Sequence, residues 1–215
     1  MSKPNTPAAN MSCIVHNSFN ILPKSLFRTI LNKDIFEKNY PMGFINIEIK
    51  AYCTNPAMVE ETLKQKKADY KGVDHQMDTY FNVPFGRLKL REGNIENSLI
   101  YYQRENSAGP KTSNVLLYEF NMDKNLKDIL VKSLGVLAVV NKKRKIYFIE
   151  NVKFHIDKVD RLGSFVEIEA IDKKGSIGKE MLKQQCESWI KSLAVEEKDL
   201  VEDSYSDLVL KKSEK

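Results

Sequence analysis

Charged side chains recur at every second position along several stretches of this 215-residue chain. Asn46, Glu48 and Lys50 alternate with Ile45, Ile47 and Ile49, and Arg87, Lys89 and Arg91 alternate with Leu88 and Leu90. Lys153, His155 and Asp157 form a third file, Glu167 and Glu169 a fourth, and the run Lys142-Lys143-Arg144-Lys145 must place two cations on each face of its strand. On one strand such a file is an ordinary wet face. Taken together the files are harder to leave in water, because like charges two residues apart repel unless a ligand or a facing strand neutralises them. A cation set beside a carboxylate set is what phosphoryl chemistry requires. Arg and Lys bind and neutralise phosphate oxygens, hard divalent cations take carboxylate oxygens, and the metal stabilises the charge that develops as a P–O bond breaks. No phosphate loop is present to do this. Gly109-Pro110-Lys111-Thr112 has Pro where the second Gly belongs, and Gly175-Ser176-Ile177-Gly178-Lys179-Glu180 has the wrong spacing and ends in Glu.

The elements that must position these residues are mostly strands. Period-2 alternation predicts strands over 44–52, 76–83, 87–92, 99–105, 115–120, 137–150, 152–159 and 165–171. Three helices are expected: about 56–70, with Asn55 as N-cap, Pro56 at the first position and Gly72 just past the end; about 123–134, stopped near Gly135; and about 176–193, with Ile177, Met181, Leu182, Cys186, Trp189 and Ile190 as an apolar stripe. Residues 107–114 read as a breaker-rich loop. Short connections imply antiparallel pairing. Closing that sheet turns the charged files inward around a shared lumen and the apolar files outward, where the helices cover them. The expected fold class is therefore α+β, a closed antiparallel eight-stranded β-barrel with helices packed outside.

Composition narrows the class. Lys and Arg exceed Asp and Glu by 34 − 29 = 5, a mildly basic balance that permits an anionic ligand. No stretch approaches the roughly 18 apolar residues of a membrane span. Three cysteines (Cys13, Cys53, Cys186) far apart argue against a disulfide framework and for a reducing, intracellular setting. Residues 1–43 read as a flexible leader. Its first 33 residues contain no acid but hold Lys3, Lys24, Arg28 and Lys33, so cytoplasmic residence has a mitochondrial targeting segment as its alternative. Residues 44–194 form the expected domain. Residues 195–215, rich in Glu and Asp, read as a polar, frayed tail. Tyr80, Phe81, Tyr101 and Tyr102 read as packing or rim residues, and Trp189 as core.

The order of these motifs resembles the CYTH family of triphosphate tunnel enzymes, and within it the class IV adenylate cyclase-like branch. The family opens with Glu-x-Glu-x-Lys, here Asn46-Ile-Glu48-Ile-Lys50. Asp78-Thr79-Tyr80-Phe81 followed by Gly86-Arg87-Leu88-Lys89-Leu90-Arg91-Glu92, then Lys142-x-Arg144 leading to Tyr147, His155-Ile156-Asp157 and Glu167-x-Glu169 follow in the family's order. The resemblance implies Mg²⁺ or Mn²⁺ as cofactor, with Glu48, Glu167, Glu169 and Asn46 as metal ligands. It implies Lys50, Arg87, Lys89, Arg91, Arg104, Lys142, Arg144 and Lys153 as substrate-binding residues, and Lys50, Asp157 and His155 as catalytic candidates. Asn46 stands where the family has its first carboxylate, which removes one anionic ligand. Tyr101-Tyr102-Gln103-Arg104 stands where a Lys is usual.

The expected partner is a triphosphate-containing small molecule (ATP, thiamine triphosphate or tripolyphosphate), with no membrane and a homodimer as the oligomer to test. Three readings compete. The first is a metal-dependent enzyme, either a triphosphate phosphohydrolase or an adenylate cyclase-like one. The second is a non-catalytic triphosphate or polyphosphate binder. The third, carried by the Lys142–Lys145 run alone, is a nucleic-acid module.

Overall fold

The computed structural model describes residues 43–213 apart from 105, 108, 122 and 123. The leader expected over residues 1–43 lies outside the described residues except for Gly43, as do Glu105 and Asp123, the outer bounds of one expected strand and one helix. Eight strands run β1 Phe44–Tyr52, β2 Asp69–Phe81, β3 Arg87–Glu92, β4 Ser98–Arg104, β5 Lys111–Glu119, β6 Val136–Ile149, β7 Val152–Val159 and β8 Gly163–Asp172. The described α-helices are α1 Pro56–Gln65, α2 Lys124–Leu134, α3 Lys179–Ser192 and α4 Tyr205–Ser213, with a 3₁₀ turn at Glu197–Asp199. The strands close into a barrel in the order β1-β5-β4-β3-β2-β6-β7-β8, and every recorded pairing is antiparallel.

Register explains why the barrel is inside out relative to an ordinary core. Glu48 lies opposite Glu169 and Lys111, Lys50 opposite Glu167, Asp78 opposite Arg91, and Arg144 opposite Asp157. Side chains on one face of a strand recur with period 2, so once these pairs face the lumen, Ile47, Ile49 and Ala51 must face out. Out there they are buried by α1 and α3, which bring Val59, Leu63, Leu182, Cys186 and Leu193 into the same apolar cluster as Phe154, Ile156, Val166 and Ile168. Trp189 lies against that cluster, edge-on to Phe154 with ring centroids 4.8 Å apart. The Lys142–Lys145 run divides as its parity requires. Lys142 and Arg144 are buried inside, while Lys143 is exposed and Lys145 pairs with Glu60 of α1.

Several boundaries move. Helix α1 starts as expected, with Asn55 Oδ1 accepting from the Met58 amide at 3.1 Å, but ends at Gln65 rather than near residue 70. Lys67 turns the chain at φ 57°, and β2 begins at Asp69. Gly72 is a strand irregularity, not a helix stop: the β2–β6 register slips between Tyr70 and Gly72, where φ is 120°, a conformation that needs glycine. Strand β5 starts at Lys111, so the second half of the expected breaker-rich loop is strand. Helix α3 starts at Lys179 rather than at Ser176 because Asp172 accepts the amides of Ser176, Ile177 and Gly178 at 2.9 to 3.1 Å.

The segment from Val195, expected to fray, is instead the floor of the barrel. Val201 donates its amide to the Lys50 carbonyl at 2.8 Å, and Leu200 bridges Ala51. Val201 and Tyr205 are buried with Tyr80, Val140 and Phe165, and Leu208, Val209 and Leu210 lean on the same cluster. Acid-rich composition masked this apolar file. No helix among the described residues is long and apolar enough to cross a membrane.

Candidate functional site

Inside the barrel lies a chamber of about 510 Å³. Of the residues singled out in the sequence, Asn46, Glu48, Lys50, Lys89, Arg91, Arg104, Arg144, Lys153, Glu167 and Glu169 line it. Lys142, His155 and Asp157 are buried just behind that lining and contact it through Asp78, Glu167 and Arg144. Arg87 is not brought to the chamber. Four residues along an extended strand place it about 13 Å from Arg91, and there it pairs with Asp207 of α4 at 3.0 Å.

One wall is cationic. Asp78 of β2 gathers three cations: Arg91 Nε and Nη2 at 2.9 and 3.0 Å, Lys89 Nζ at 3.0 Å and Lys142 Nζ at 2.6 Å. This is the neutralisation that the crowded Arg87-x-Lys89-x-Arg91 file demanded. Burial alone would raise the Asp78 carboxyl, but Arg91, Lys142 and Lys89 hold it well below the usual carboxylate range. Burial, reinforced by the neighbouring Arg91, Arg144 and Lys89, outweighs Asp78 at Lys142 and brings its ammonium down to about 7. Burial and Arg104 similarly lower Lys111 to about 8. Arg91 also reaches Glu96 at 3.0 Å, and Lys153 pairs with the same carboxylate. Glu96 sits on the β3–β4 loop, which is pinned by Asp74: the amides of Ile95 and Glu96 donate to its carboxylate at 2.9 and 3.0 Å. A Cβ at Gly93 would stand 2.6 Å from Asp74 Oδ1, so the loop can approach β2 this closely only with glycine there.

The facing wall carries the carboxylates. Glu167 accepts from Lys50 at 3.0 Å and from Arg144, and His155 Nδ1 lies 3.3 Å from Glu167 and 3.6 Å from Glu169. Burial would raise Glu167, yet Lys50, Arg144 and His155 hold it well below its ordinary value. Burial, and then Arg144, push the His155 imidazole below its ordinary value. Ligand atoms of His155, Glu167 and Glu169 all lie within 4.8 Å of one another. Asn46 Oδ1, in the same chamber, is buried with no hydrogen-bond partner. Glu48 is drawn aside by Arg104. Two carboxylates close together, a third within the same chamber and an unspent amide oxygen form a hard donor set that fits a divalent cation.

The floor completes the enclosure. Tyr205 OH donates to Asp157 Oδ2 at 2.8 Å, Lys50 Nζ sits 4.1 Å above the Tyr205 ring, and Lys111 Nζ donates to the Val201 carbonyl at 2.5 Å. Arg144 grips Asp157 with both Nε and Nη2 at 2.7 and 2.5 Å. Asp157 is thereby committed to holding Arg144 and the floor in place.

Sequence reasoning missed Asp78, Glu96, Lys111 and Tyr205 as parts of this site. Asp78 was findable, since it shares parity with Gln76 and Tyr80 against Met77, Thr79 and Phe81. The spacing of Val201, Tyr205, Leu208 and Val209 was the signal for α4. Glu96, on a loop, had none.

Comparison with known proteins agrees with this architecture. No curated protein matches the chain. Among solved structures, the PH1012 protein of Pyrococcus horikoshii shares 24% identity at a TM-score of 0.64, covering 76% of this chain and 98% of its own. A conserved protein of Pyrococcus furiosus shares 22% at 0.63, covering 76% and 99%. A candidate adenylate cyclase of Vibrio parahaemolyticus shares 16% at 0.66, covering 78% and 99%. At these identities the likeness is one of fold. The family model for the CYTH domain matches residues 45–205, the span from β1 through the floor segment, and the chain therefore belongs to the CYTH domain family.

Proposed function

We propose that this protein is a metal-dependent enzyme acting on a triphosphate held inside the barrel, with hydrolysis of the terminal phosphate as the reaction its site supports best. The observation carrying this reading is that Lys89 and Arg91 on one side and Glu167 and Glu169 on the other, with Arg144 bonded to Glu167, face a single chamber closed below by Tyr205. A divalent ion on Glu167, Glu169, Glu48 and Asn46 would supply charge stabilisation and a more acidic water. The chain's own residues do the rest. Lys89, Arg91 and Lys142 exchange Asp78 for phosphate oxygens, and Arg144 and Arg104 extend the track. Water forms a bond to the terminal phosphorus as the bridging P–O bond breaks, and the proton it sheds is taken up by an oxygen of the orthophosphate formed. The leaving diphosphate takes up the negative charge against these guanidinium and ammonium groups, which are already oriented before substrate arrives. Lys50, between Glu167 and the floor, is a further cation at the carboxylate wall. Asp157, held by Arg144 and Tyr205, is a positioning residue. Cyclisation would need the ribose 3′-hydroxyl aligned on the α-phosphorus, a further demand that hydrolysis does not make.

The test is phosphate, pyrophosphate and cyclic AMP release from tripolyphosphate, ATP and thiamine triphosphate with Mg²⁺ or Mn²⁺. Metal-dependent orthophosphate release is the expected result. Cyclic AMP with pyrophosphate would assign the cyclase instead. One feature favours the alternative of a non-catalytic binder: Asn46 replaces a carboxylate, and Lys50 and Arg144 already neutralise Glu167. Tight binding with no product would establish that reading.

A further inference from the structure

Six buried side-chain polar atoms have no hydrogen-bond partner among the described residues. Three of them line the chamber: Asn46 Oδ1, Arg104 Nε and Ser113 Oγ. These three are register neighbours. Ser113 of β5 lies opposite Asn46 of β1 on one side and opposite Arg104 of β4 on the other. Directly paired residues on one sheet face stand about 4.5–5.5 Å apart at Cβ, so the three groups form a single polar patch. Ser113 is 1% exposed and Asn46 7%. A buried hydroxyl or amide oxygen without a partner costs free energy, and one that persists in a chamber wall is met by what the chamber holds.

The strand order places this patch relative to the cations. Strands four apart in the closed eight-stranded ring face each other, so β5 stands across the lumen from β6, and β1 across from β2. Strands β6 and β2 carry Lys142 and Asp78, the centre of the cationic cluster. On the hydrolysis reading above, on which this inference rests, the leaving diphosphate lies on that cluster. In-line displacement then brings the attacking oxygen to the terminal phosphorus from the opposite side, which is the wall of β1 and β5. A water molecule offers two hydrogens, so acceptors orient it. Ser113 Oγ is such an acceptor, and Asn46 Oδ1 opposite it is an oxygen of the cation donor set. We infer that Ser113 is a positioning residue: its Oγ accepts a hydrogen bond from the attacking water and aims that water's lone pair at the terminal phosphorus. Ser113 keeps its own proton. The water–phosphorus bond forms, the bridging P–O bond breaks toward the diphosphate, and the water's proton passes to an oxygen of the orthophosphate. Arg104 Nε, a donor, is left for an oxygen of the same terminal phosphate.

Ser113→Ala removes one oxygen and no hydrogen bond within the protein, so the fold tolerates it. The experiment follows orthophosphate release from tripolyphosphate with Mn²⁺ in the parent, Ser113→Ala and Ser113→Thr. Alongside it, calorimetry gives the Kd of a methylene-bridged triphosphate analogue, and the free-ion paramagnetic resonance signal gives the Kd of Mn²⁺. Ser113→Ala should lower kcat by about tenfold to a hundredfold, the loss expected when a reacting group is held out of line. Both dissociation constants should move less than about twofold. Ser113→Thr, which keeps the hydroxyl, should recover most of the turnover. An unchanged kcat in Ser113→Ala would overturn the inference and leave the hydrolysis reading standing. A matching loss of analogue affinity would make Ser113 a phosphate ligand, and a loss of Mn²⁺ affinity would make it a metal ligand; either result overturns the inference. If the parent releases no orthophosphate, the hydrolysis reading falls and this inference falls with it.

Discussion

Glu167 and Glu169 are two residues apart on one strand face, but they occupy different electrostatic positions. Glu167 balances Lys50 and Arg144, so removing its charge leaves two buried cations short of a partner, a change that typically costs several kcal/mol. Glu169 lies opposite Glu48 and Lys153 and 3.6 Å from His155, and among the described residues no lysine or arginine forms an ion pair with it, so its carboxylate is the more available to a cation. Glu169→Gln should therefore weaken Mn²⁺ binding, read from the free-ion paramagnetic resonance signal, by tenfold or more, with a melting temperature close to the parent's. Glu167→Gln should lower both. Unchanged Mn²⁺ affinity in Glu169→Gln would remove this residue from the metal set. Lys142 gives a second residue-scale consequence. In the free protein its ammonium is lowered to about 7 and that of Lys111 to about 8, and a bound polyanion raises both. At pH 8 much of this pair is neutral when free and charged when bound, so binding takes up protons. Below pH 6 both are already charged and the uptake vanishes. Calorimetry in buffers of different ionisation enthalpy should show uptake at pH 8, little at pH 6, and a smaller value at pH 8 in Lys142→Met. A buffer-independent enthalpy at pH 8 would show that neither lysine titrates on binding.

At the scale of the element, C-terminal helix α4 decides whether the barrel is a pipe or a cup. Tyr205 is buried against Phe165 with rings 5.0 Å apart, carries Lys50 over its face and donates to Asp157. Tyr205→Ala removes a buried aromatic and should cost about 3–5 kcal/mol. Tyr205→Phe loses only a hydrogen bond to a carboxylate, about 1.5–3 kcal/mol. Both would be measured by urea unfolding, and a loss below 1 kcal/mol for Tyr205→Ala would mean the floor is held without it. This helix was also the element least legible beforehand. In β1, β3, β7 and β8, alternation alone grouped the charges on one face, because a strand's period leaves one choice of parity and the opposite choice buries Lys89 in an apolar layer, whereas on β6 it set two cations on each face without choosing which pair turns inward. In 195–213, acidic residues concealed Val201, Tyr205 and Leu208, since a short helix that caps a barrel end needs only a few apolar contacts. Gly72 misled for a related reason. A glycine marks an unusual φ, and a strand irregularity needs one as much as a helix end does.

The molecule as a whole carries a formal charge of +5, a value that by itself suits a nucleic-acid binder as well as a triphosphate enzyme. The fold separates the two. Lys89, Arg91, Arg104, Lys142 and Arg144 point into the lumen and are paired there with Asp78, Glu48, Asp157 and Glu167. These lumen cations are nearly balanced by the carboxylates they face, so they offer no basic surface beyond the mouth. The exposed half of the Lys142–Lys145 run is thinner still, because Lys145 is tied to Glu60 on α1. Nucleic-acid affinity comes from many backbone phosphates displacing counterions along an open surface, and it falls steeply with salt. The chamber measures about 510 Å³, room for a compact anion rather than an open track of backbone phosphates. A 5′-hydroxyl RNA oligonucleotide in large excess should leave the affinity for a triphosphate unchanged at both low and physiological salt, whereas free pyrophosphate should compete. Competition by that RNA at low salt, vanishing as salt is raised, would place the working cations on the outside of the barrel and return the chain to the nucleic-acid class.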